Sequence, residues 1–384
     1  MITQERLNHV AKLVDGALAG NYEAQGAIKS EIRRAMSVEE SHSTSDFPTA
    51  FRSITQAAFL GQYDQIQSVY PQYTRQYNVN NLRPQSFYSL AYDISNLPDS
   101  NGGETTIKSA PGGIPRVPEL TEFPTISFSA SETSFGVSKY GARVQFSFEM
   151  LLNDDWGVLE TLPTELAQLA RNQEDIVATE VLVDPVNYGP NPVFFNNTNG
   201  NIFATANGYT SNNPVLSVAA VTEAASHIRS RTFNGNPVVV SKFILMVPPA
   251  LEADAKRLLG VTAFEVTDAN GTYTIANPIS DIGLVVNPWL PVIDKGPNVN
   301  KTWYLMPAGS AGVRPAVVFS KIRGRETPEL RIASATGNYL GGGEVPGREG
   351  SFLNDDIEFR VRHFVGAAGI AFETAVVSKG TAAP

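Results

Sequence analysis

Two runs of neighbouring carboxylates are the segments of this chain best suited to acid–base or metal chemistry. Residues 153–155 and residues 354–356 both read Asn-Asp-Asp. Carboxylates that are adjacent in sequence point apart, whereas glycoside hydrolysis needs two carboxyl groups that face one bond. We therefore interpret both runs as turns or helix caps between secondary-structure elements, not as catalytic pairs.

Two glycine-containing segments suggest phosphate binding or a nucleophile, and neither has the full pattern. Residues 341–350, GGGEVPGREG, follow no short strand into a helix, and the chain contains no G-x-x-x-x-G-K-S/T motif. Residues 309–312, GSAG, have Ala308 where a nucleophile elbow requires glycine. We interpret both segments as loops, so neither supports ATP chemistry or acyl transfer.

The composition excludes several further classes of protein. The chain has 384 residues, no cysteine, four scattered histidines and a formal net charge of −9. These counts argue against disulfides, thiolate chemistry and a structural zinc site, and the acidity argues against an ordinary nucleic-acid-binding protein. No run of eighteen apolar residues and no signal peptide is present, so we expect no membrane segment and synthesis in the cytoplasm. We expect no metal, no cofactor and no enzymatic activity.

The low charge density points to contact with partner subunits. Only 17% of the residues are charged, although 42% are hydrophobic. The centres of protein interfaces are depleted in charged residues. We therefore expect that other protein subunits cover much of the surface.

A strand followed by a long helix forms the centre of the predicted fold. Residues 140–148 alternate between apolar and polar side chains, with the period of a half-buried strand. In residues 158–184, Leu162, Leu166 and Leu169 recur at helical spacing, and we place Pro163 in the first helical turn. About twenty-five of these residues, at about 1.5 Å each, would make a helix roughly 37 Å long.

Strand patterns at residues 87–97 and 125–129 flank a segment without periodicity that is rich in glycine and proline. This order predicts a long two-stranded projection. Because an isolated two-stranded ribbon is only marginally stable in water, we expect it to lie on another protein surface.

The other segments predict an α+β protein. Residues 3–36 are predicted to form an amphipathic helix, interrupted near Gly20 and Asn21, that packs either on its own chain or on a neighbour. Residues 49–83 are predicted to form a short helix followed by extended chain. Residues 184–215 are predicted to be a surface loop. A mixed α/β module follows, with helix 218–231 capped by Ser217, and the chain returns through a long strand near residues 357–365.

In this order of elements, the chain resembles the major capsid proteins of tailed double-stranded-DNA bacteriophages, whose shell fold is shared with encapsulins and herpesvirus capsid floors. The segments that carry the resemblance are the strand and helix of 139–182, FILMVPPALEADAKRLL, and IEFRVRHFVGAAGIAFETAVV. The resemblance implies an N-terminal arm, an extended β-hairpin loop, a peripheral domain with a long spine helix and long strands, and a mixed α/β axial domain. The corresponding ranges are 1–83 for the arm, 84–145 for the loop, 146–185 and 321–370 for the peripheral domain, and 186–320 and 371–384 for the axial domain.

The resemblance implies a self-assembling head protein without catalytic activity, found in the virion. Its copies would form hexamers and pentamers of an icosahedral shell, with Lys108 and Arg116 of the extended loop as candidate inter-subunit contacts. Packaged double-stranded DNA would be touched only weakly and non-specifically, and a cement protein, portal and scaffold are further candidate partners. The alternative is an encapsulin-like compartment around a cargo enzyme; a β-rich carbohydrate-active enzyme or adhesin fits less well, since no convergent carboxylates were found.

Overall fold

The structure, a computed structural model, describes residues 59–95, 125–147, 158–233, 236–268, 271–310, 314–333, 340 and 356–382. Residues 59–65 are helical. The further helices are α1 (Val158–Glu180), α2 (Val218–Ser230), α3 (Glu252–Gly260) and α4 (Leu290–Ile293). The strands are β1 (Thr74–Val79), β2 (Gln85–Ser95), β3 (Thr125–Phe135), β4 (Ser138–Ser147), β5 (Thr232–Phe233), β6 (Asn236–Pro237), β7 (Phe243–Val247), β8 (Ala263–Asp268), β9 (Gly271–Ala276), β10 (Gly283–Val286), β11 (Trp303–Pro307), β12 (Val317–Ile322), β13 (Glu329–Ile332), β14 (Asp356–Gly369) and β15 (Val376–Ser378).

The chain divides into two compact units, and the first is built around β14. This unit comprises Met1–Ser68, Ser138–Glu174 and Ile322–Val365. The strand β14 pairs antiparallel with β4 along ten residues and with β13 on its other edge. Gly141 is required in β4, because a Cβ there would lie 2.8 Å from the Val361 carbonyl oxygen.

The core of the first unit lies between this sheet, the helical segment 59–65 and the first part of α1. The alternation in β14 buries Ile357, Phe359 and Val361 and leaves Arg360 exposed. The buried set forms one cluster: Phe59, Tyr63, Leu162, Leu166, Ala167, Ala170, Ile357, Phe359 and Val361. The period-2 pattern of the sequence thus sets which face of the strand meets the helix.

The second unit comprises Val69–Val137, Asp175–Lys321 and Gly366–Pro384. Its main sheet has the strand order β10-β7-β11-β15, in which β10 and β7 are parallel and the other pairs antiparallel. All five residues of β7 and all five of β11 are buried. The helix α2 packs its Ala220, Val221, Ala224, Ala225 and Ile228 into the same core.

The structure confirms most of the predicted elements. The strand near residue 140, the long helix, the α2 helix with its Ser217 cap and the long strand β14 all form. The helix α1 begins at Val158, so Pro163 lies inside it, not in its first turn as predicted. Proline has no N–H to donate to the carbonyl of residue 159, and the helix accommodates the loss of one hydrogen bond.

One prediction was wrong about burial. Residues 184–215 are not only surface: Phe194, Phe195 and Phe203 are buried, because turns without regular structure still pack aromatic side chains on the sheet of the second unit. Leu169 of α1 is 53% exposed. The buried face of α1 includes Ala167 and Ala170, and Leu169 lies outside it. The hairpin of β8 and β9 was not predicted.

Candidate assembly interface

The predicted two-stranded projection is present as the ribbon of β2 and β3. The two eleven-residue strands pair antiparallel over their full length, from Gln85 opposite Phe135 to Ser95 opposite Thr125. At about 3.4 Å per residue the ribbon extends for roughly 37 Å. Within the described residues, β2 and β3 pair only with each other. The outer backbone groups of both strands therefore have no partner strand in this part of the chain.

The composition of the ribbon favours contact with other backbones. Its two strands contain only two charged residues, Asp93 and Glu132, and neither strand contains lysine or proline. Edge strands of soluble proteins are usually protected from pairing by lysine, proline or bulges. Because neither edge of this ribbon carries lysine or proline, the ribbon is suited to lie against another copy of the chain.

The base of the ribbon is held by contacts within the second unit. The ring of Phe135 lies 6.4 Å from that of Tyr77 in β1, and the hydroxyl of Ser86 donates a hydrogen bond to Glu132. The strand β1 itself pairs with β12. The ribbon therefore follows a strand that is itself paired in a larger sheet.

The residues that the sequence singled out for chemistry mostly lie outside the described part of the chain. This holds for Lys108 and Arg116 of the extended loop, for residues 153–155 and for residues 341–350. Of residues 354–356 only Asp356 is described, and it begins β14. Accordingly, none of the predicted carboxylate runs or inter-subunit contacts is tested by the geometry.

A buried polar cluster around Glu174 was not predicted. Glu174 lies in α1 and is fully buried. Its Oε1 accepts a hydrogen bond from the Tyr63 hydroxyl at 2.5 Å and lies 2.7 Å from Nε2 of His363, while its Oε2 is 2.9 Å from a guanidinium nitrogen of Arg171. One carboxylate thereby connects the helical segment 59–65, α1 and β14 within the first unit.

Arg171 completes this cluster from one turn earlier on α1. Its guanidinium lies 3.6 Å from the centre of the Tyr63 ring, and its Nε donates to the Tyr63 carbonyl at 2.8 Å. Through these contacts the Glu174 cluster connects Tyr63, near the described start of the chain, to the centre of the first unit. Removing one partner of such a buried ionic group leaves the other uncompensated.

The sequence did contain a signal for this cluster. The alternation that buries Ile357, Phe359 and Val361 continues to residue 363, so it predicts an inward-facing His363. Glu174 follows Ala170 by four residues and therefore shares its helix face. A carboxylate and an imidazole at two core positions of neighbouring elements indicate a buried pair.

In the second unit the next residue of α1 has a different role. Asp175 Oδ1 accepts hydrogen bonds from the backbone nitrogens of Val69 and Tyr70, each at 2.9 Å. The Tyr73 hydroxyl lies 3.3 Å from Thr179 Oγ1, and burial raises the pKa of that tyrosine well above its usual range. Asp175 and Thr179 thus fix residues 69–73, which lead into β1.

A second buried ion pair lies near the end of the chain. Glu373 is 5% exposed, and its Oε1 is 3.3 Å from Nε of Arg314. Burial raises the pKa of the Glu373 carboxyl, and the nearby Arg314 opposes that rise. The Arg314 guanidinium stacks 3.6 Å above the Phe233 ring centre. This pair joins the start of β12 to the segment before β15 within the second unit.

Comparison with known proteins decides the family. A family model described as "Phage capsid protein" matches residues 131–378, which is more than half of the chain. The chain belongs to this phage capsid family. It is a structural protein of the virion, and it forms the capsid shell.

The matched solved structures are distant. A Microbacterium phage Oxtober96 structure is 12% identical with a TM-score of 0.46, covering 82% of this chain and 91% of that one. The capsid of an empty GTA particle is 13% identical with a TM-score of 0.42, covering 81% and 90%. An encapsulin complex of Synechococcus elongatus is 10% identical with a TM-score of 0.41, covering 81% and 87%. A search of curated proteins finds no match.

The described residues lack two further kinds of functional element. Among them, no group of three or more His, Asp or Glu side chains is arranged to hold a metal ion. In the same part of the chain, even α1, the longest helix, lacks the apolar length that a bilayer crossing requires. For a capsid protein the functional surface is the one that meets other copies, and the ribbon is the described element best suited to that contact.

Proposed function

We propose that copies of this chain form the hexamers and pentamers of an icosahedral phage head that encloses double-stranded DNA. The observation that carries the proposal is the ribbon of β2 and β3, which has two free edges in the described residues and few charges. A two-stranded ribbon of this kind gains stability when another surface covers it. In a closed shell each ribbon would lie on a neighbouring subunit.

The proposal assigns each part of the chain a role in the shell. Residues 1–83 would be an N-terminal arm, and residues 84–145 an extended loop that contains the ribbon and the candidate contacts Lys108 and Arg116. The peripheral domain would comprise 146–185 and 321–370, and the axial domain 186–320 and 371–384. Interleaved arms and loops would bury the large areas that obligate interfaces need.

The acidity of the chain supports an arrangement in which DNA is enclosed and only weakly bound. Each phosphate contact by Lys or Arg adds to affinity for DNA. A chain with a net charge of −9 repels a polyanion on average. We propose weak, non-specific contact with packaged DNA, association with a portal, a scaffold and a cement protein, and no catalytic activity.

Electron microscopy of purified particles tests the proposal. Purified full-length protein, or particles from infected cells, should show shells of uniform diameter with five-fold vertices, and nuclease treatment should leave a protected double-stranded DNA. Shells that contain a folded protein cargo and no DNA would favour the encapsulin-like alternative. A stable monomer at high concentration would contradict both.

A denaturing gel distinguishes how the shell is held together. We propose that buried area, not covalent linkage, joins the subunits. Particles boiled in SDS should therefore run as a single monomer band. A ladder of multimers that persists after boiling would show covalent crosslinks, with Lys108 of the extended loop as the first lysine to replace.

A further inference from the structure

Residues 184–193, the segment that follows α1 in the second unit, present apolar side chains to solvent. Val186 is 77% exposed, Tyr188 is 48% exposed and Val193 is 85% exposed. We call this segment the 184–193 loop. Single exposed apolar residues are normal on protein surfaces, but three within eight residues of one loop are a concentration of apolar area.

The 184–193 loop is held rigidly by its own hydrogen bonds. Asp184 Oδ1 accepts from the backbone nitrogens of Val186 and Asn187 at 2.8 and 3.2 Å, and its Oδ2 accepts from the Asn187 amide at 2.8 Å. The backbone nitrogen of Asp184 donates to the Gly189 carbonyl at 3.0 Å. A rigid loop loses little conformational entropy when another surface binds to it.

The far end of the loop is fixed in the same way. Asn191 donates its side-chain amide to the Glu180 carbonyl at 3.0 Å, and its Oδ1 accepts from the Val193 backbone nitrogen at 3.0 Å. The backbone at Val193 is therefore fixed by hydrogen bonds. Its side chain is more exposed than those of Val186 and Tyr188.

Tyr188 has a backbone conformation that is unusual for a residue with a side chain. Its φ is +59°, in the left-handed region that favours glycine. The buried Asp294 supports this turn, because its Oδ1 accepts from the Gly189 backbone nitrogen at 3.0 Å. A strained conformation that is held by buried partners is typical of functional segments.

Asp294 also connects the loop to a second apolar position. It follows the short helix α4, in which Val292 is 52% exposed. A Cβ at Gly296 would be 3.6 Å from Cβ of Tyr188, so the turn after α4 lies directly against the loop. The exposed apolar area is thus carried by two adjoining segments of the second unit.

The charges around the loop determine which partner it can accept. Residues 172–228 contain no Lys or Arg. The one carboxylate within the loop, Asp184, uses both oxygens on the loop itself. The adjoining turn contributes one exposed cation, Lys295. A single lysine gives little affinity for DNA or acidic lipid headgroups, since binding either requires several phosphate contacts. An uncharged, apolar protein surface is the complementary partner.

We propose that the 184–193 loop is a contact surface for a neighbouring copy of this chain in the capsid shell. The inference rests on the proposed function, because a shell places many copies of one chain side by side. In a ring of subunits the contacts are heterologous, so the loop of one copy meets a different surface of the next. The second copy is also the partner that the protein always has at high local concentration.

The decisive experiment introduces charge at the two most exposed positions. The full-length double variant Val186→Asp, Val193→Asp should keep the wild-type melting temperature and lose at least about tenfold in yield of closed shells, as expected for a charge placed in a desolvated contact. The matched control is Val239→Asp, because Val239 is 63% exposed in the same unit and lies outside the loop. The control should assemble like the wild type.

The outcomes separate this inference from the proposed function. Wild-type protein that forms no shell would overturn both. Wild-type shells accompanied by equal shell yields from the double variant would overturn the inference alone. The same would follow if the Val239→Asp control lost assembly to the same extent.

A crosslinking measurement tests the contact directly. The chain has no cysteine, so Val193→Cys provides one unique site for a benzophenone maleimide. Illumination of labelled shells should produce covalent dimers, with the adduct mapped to a peptide distant in sequence from residues 184–193. Labelled shells that yield only monomers after illumination would contradict the proposed contact.

Discussion

The strand β14 and the ribbon of β2 and β3 are both long antiparallel structures, and they differ in what surrounds them. β14 has partner strands on both edges, β4 and β13, and buries one face against α1. Within the described residues the ribbon strands pair only with each other. The first arrangement is complete within one chain, whereas the second needs a surface from elsewhere.

This difference indicates where stability comes from in a shell subunit. A strand with two partners and a buried face is stable in the free subunit. A ribbon with free edges and few charges is stabilised when subunits assemble. Substitutions around β14 should therefore change the unfolding of the free subunit, and substitutions in surfaces that meet other copies should change the yield of shells.

The largest effect is expected at the Glu174 cluster. Glu174→Ala removes the buried carboxylate that Tyr63, His363 and Arg171 share and so deletes three buried polar contacts. We expect a loss of about 3–5 kcal/mol in the free energy of unfolding of the free subunit. The control is Glu165→Ala, an exposed carboxylate on the same helix, which should change little. Urea denaturation measures both variants, and equal curves would contradict the proposed role of the cluster.

A pair of leucines on one helix separates packing from exposure. Leu166 is 1% exposed and Leu169 is 53% exposed. Leu166→Ala should cost about 2–4 kcal/mol of unfolding free energy, because the side chain leaves a cavity beside β14. Leu169→Ala should stay within about 0.5 kcal/mol. If the two variants unfold at the same denaturant concentration, the assignment of the buried face of α1 is wrong.

A smaller effect is expected at the start of α2. Ser217 Oγ accepts a hydrogen bond from the backbone nitrogen of Ala220 at 3.2 Å. Ser217→Ala should cost about 1 kcal/mol, whereas Ser217→Asp keeps the cap and should cost much less. Thermal unfolding of the two variants measures the difference. An alanine variant as stable as the aspartate variant would show that the cap does not contribute.

The smallest effect is pH-dependent and lies on β13, beside β14. Partial burial acts to raise the pKa of the Glu329 carboxyl, but hydrogen bonds from Arg362 and Arg331 outweigh it, so this pKa lies below its usual range. A lowered pKa in the folded state adds stability above the usual carboxyl range, and that stability is lost as pH falls through the folded-state value. Because a third of the Glu329 side chain is exposed, the gain is at most about 1 kcal/mol.

Glu329→Gln tests this statement. At neutral pH the variant should be less stable than the wild type by at most about 1 kcal/mol, and the difference should shrink as the solution is acidified and Glu329 becomes protonated. Denaturant midpoints measured in steps from pH 7 to pH 3 give the comparison. A difference that grows on acidification would mean that the carboxylate is destabilising in the folded subunit.

Local pattern was sufficient to predict the elements that are regular over many residues. The alternation around residue 144 and in β14, the apolar spacing in α1 and the Ser217 cap all lead directly to the observed elements. Each of these features is decided by side chains within one segment, so no knowledge of distant contacts was needed.

The missed features depend on contacts between distant residues. The Glu174 cluster joins residues 111 and 189 positions apart in sequence, so no single segment shows it. Leu169 matched the helical spacing, but Ala167 and Ala170 determine which face meets the sheet. Phe194 and Phe203 lie in a segment rich in Asn and Gly, where burial depends on the sheet that the segment covers.

The central claim is that the sheet around β14 is stable in the free subunit, whereas the ribbon of β2 and β3 is stabilised by assembly. Hydrogen exchange of the ribbon tests this claim most directly. Peptides from β2 and β3 should exchange rapidly in free subunits and at least about a hundredfold more slowly in assembled shells, while peptides from β14 should be protected in both. Equal and strong protection of the ribbon in the free subunit would contradict the account.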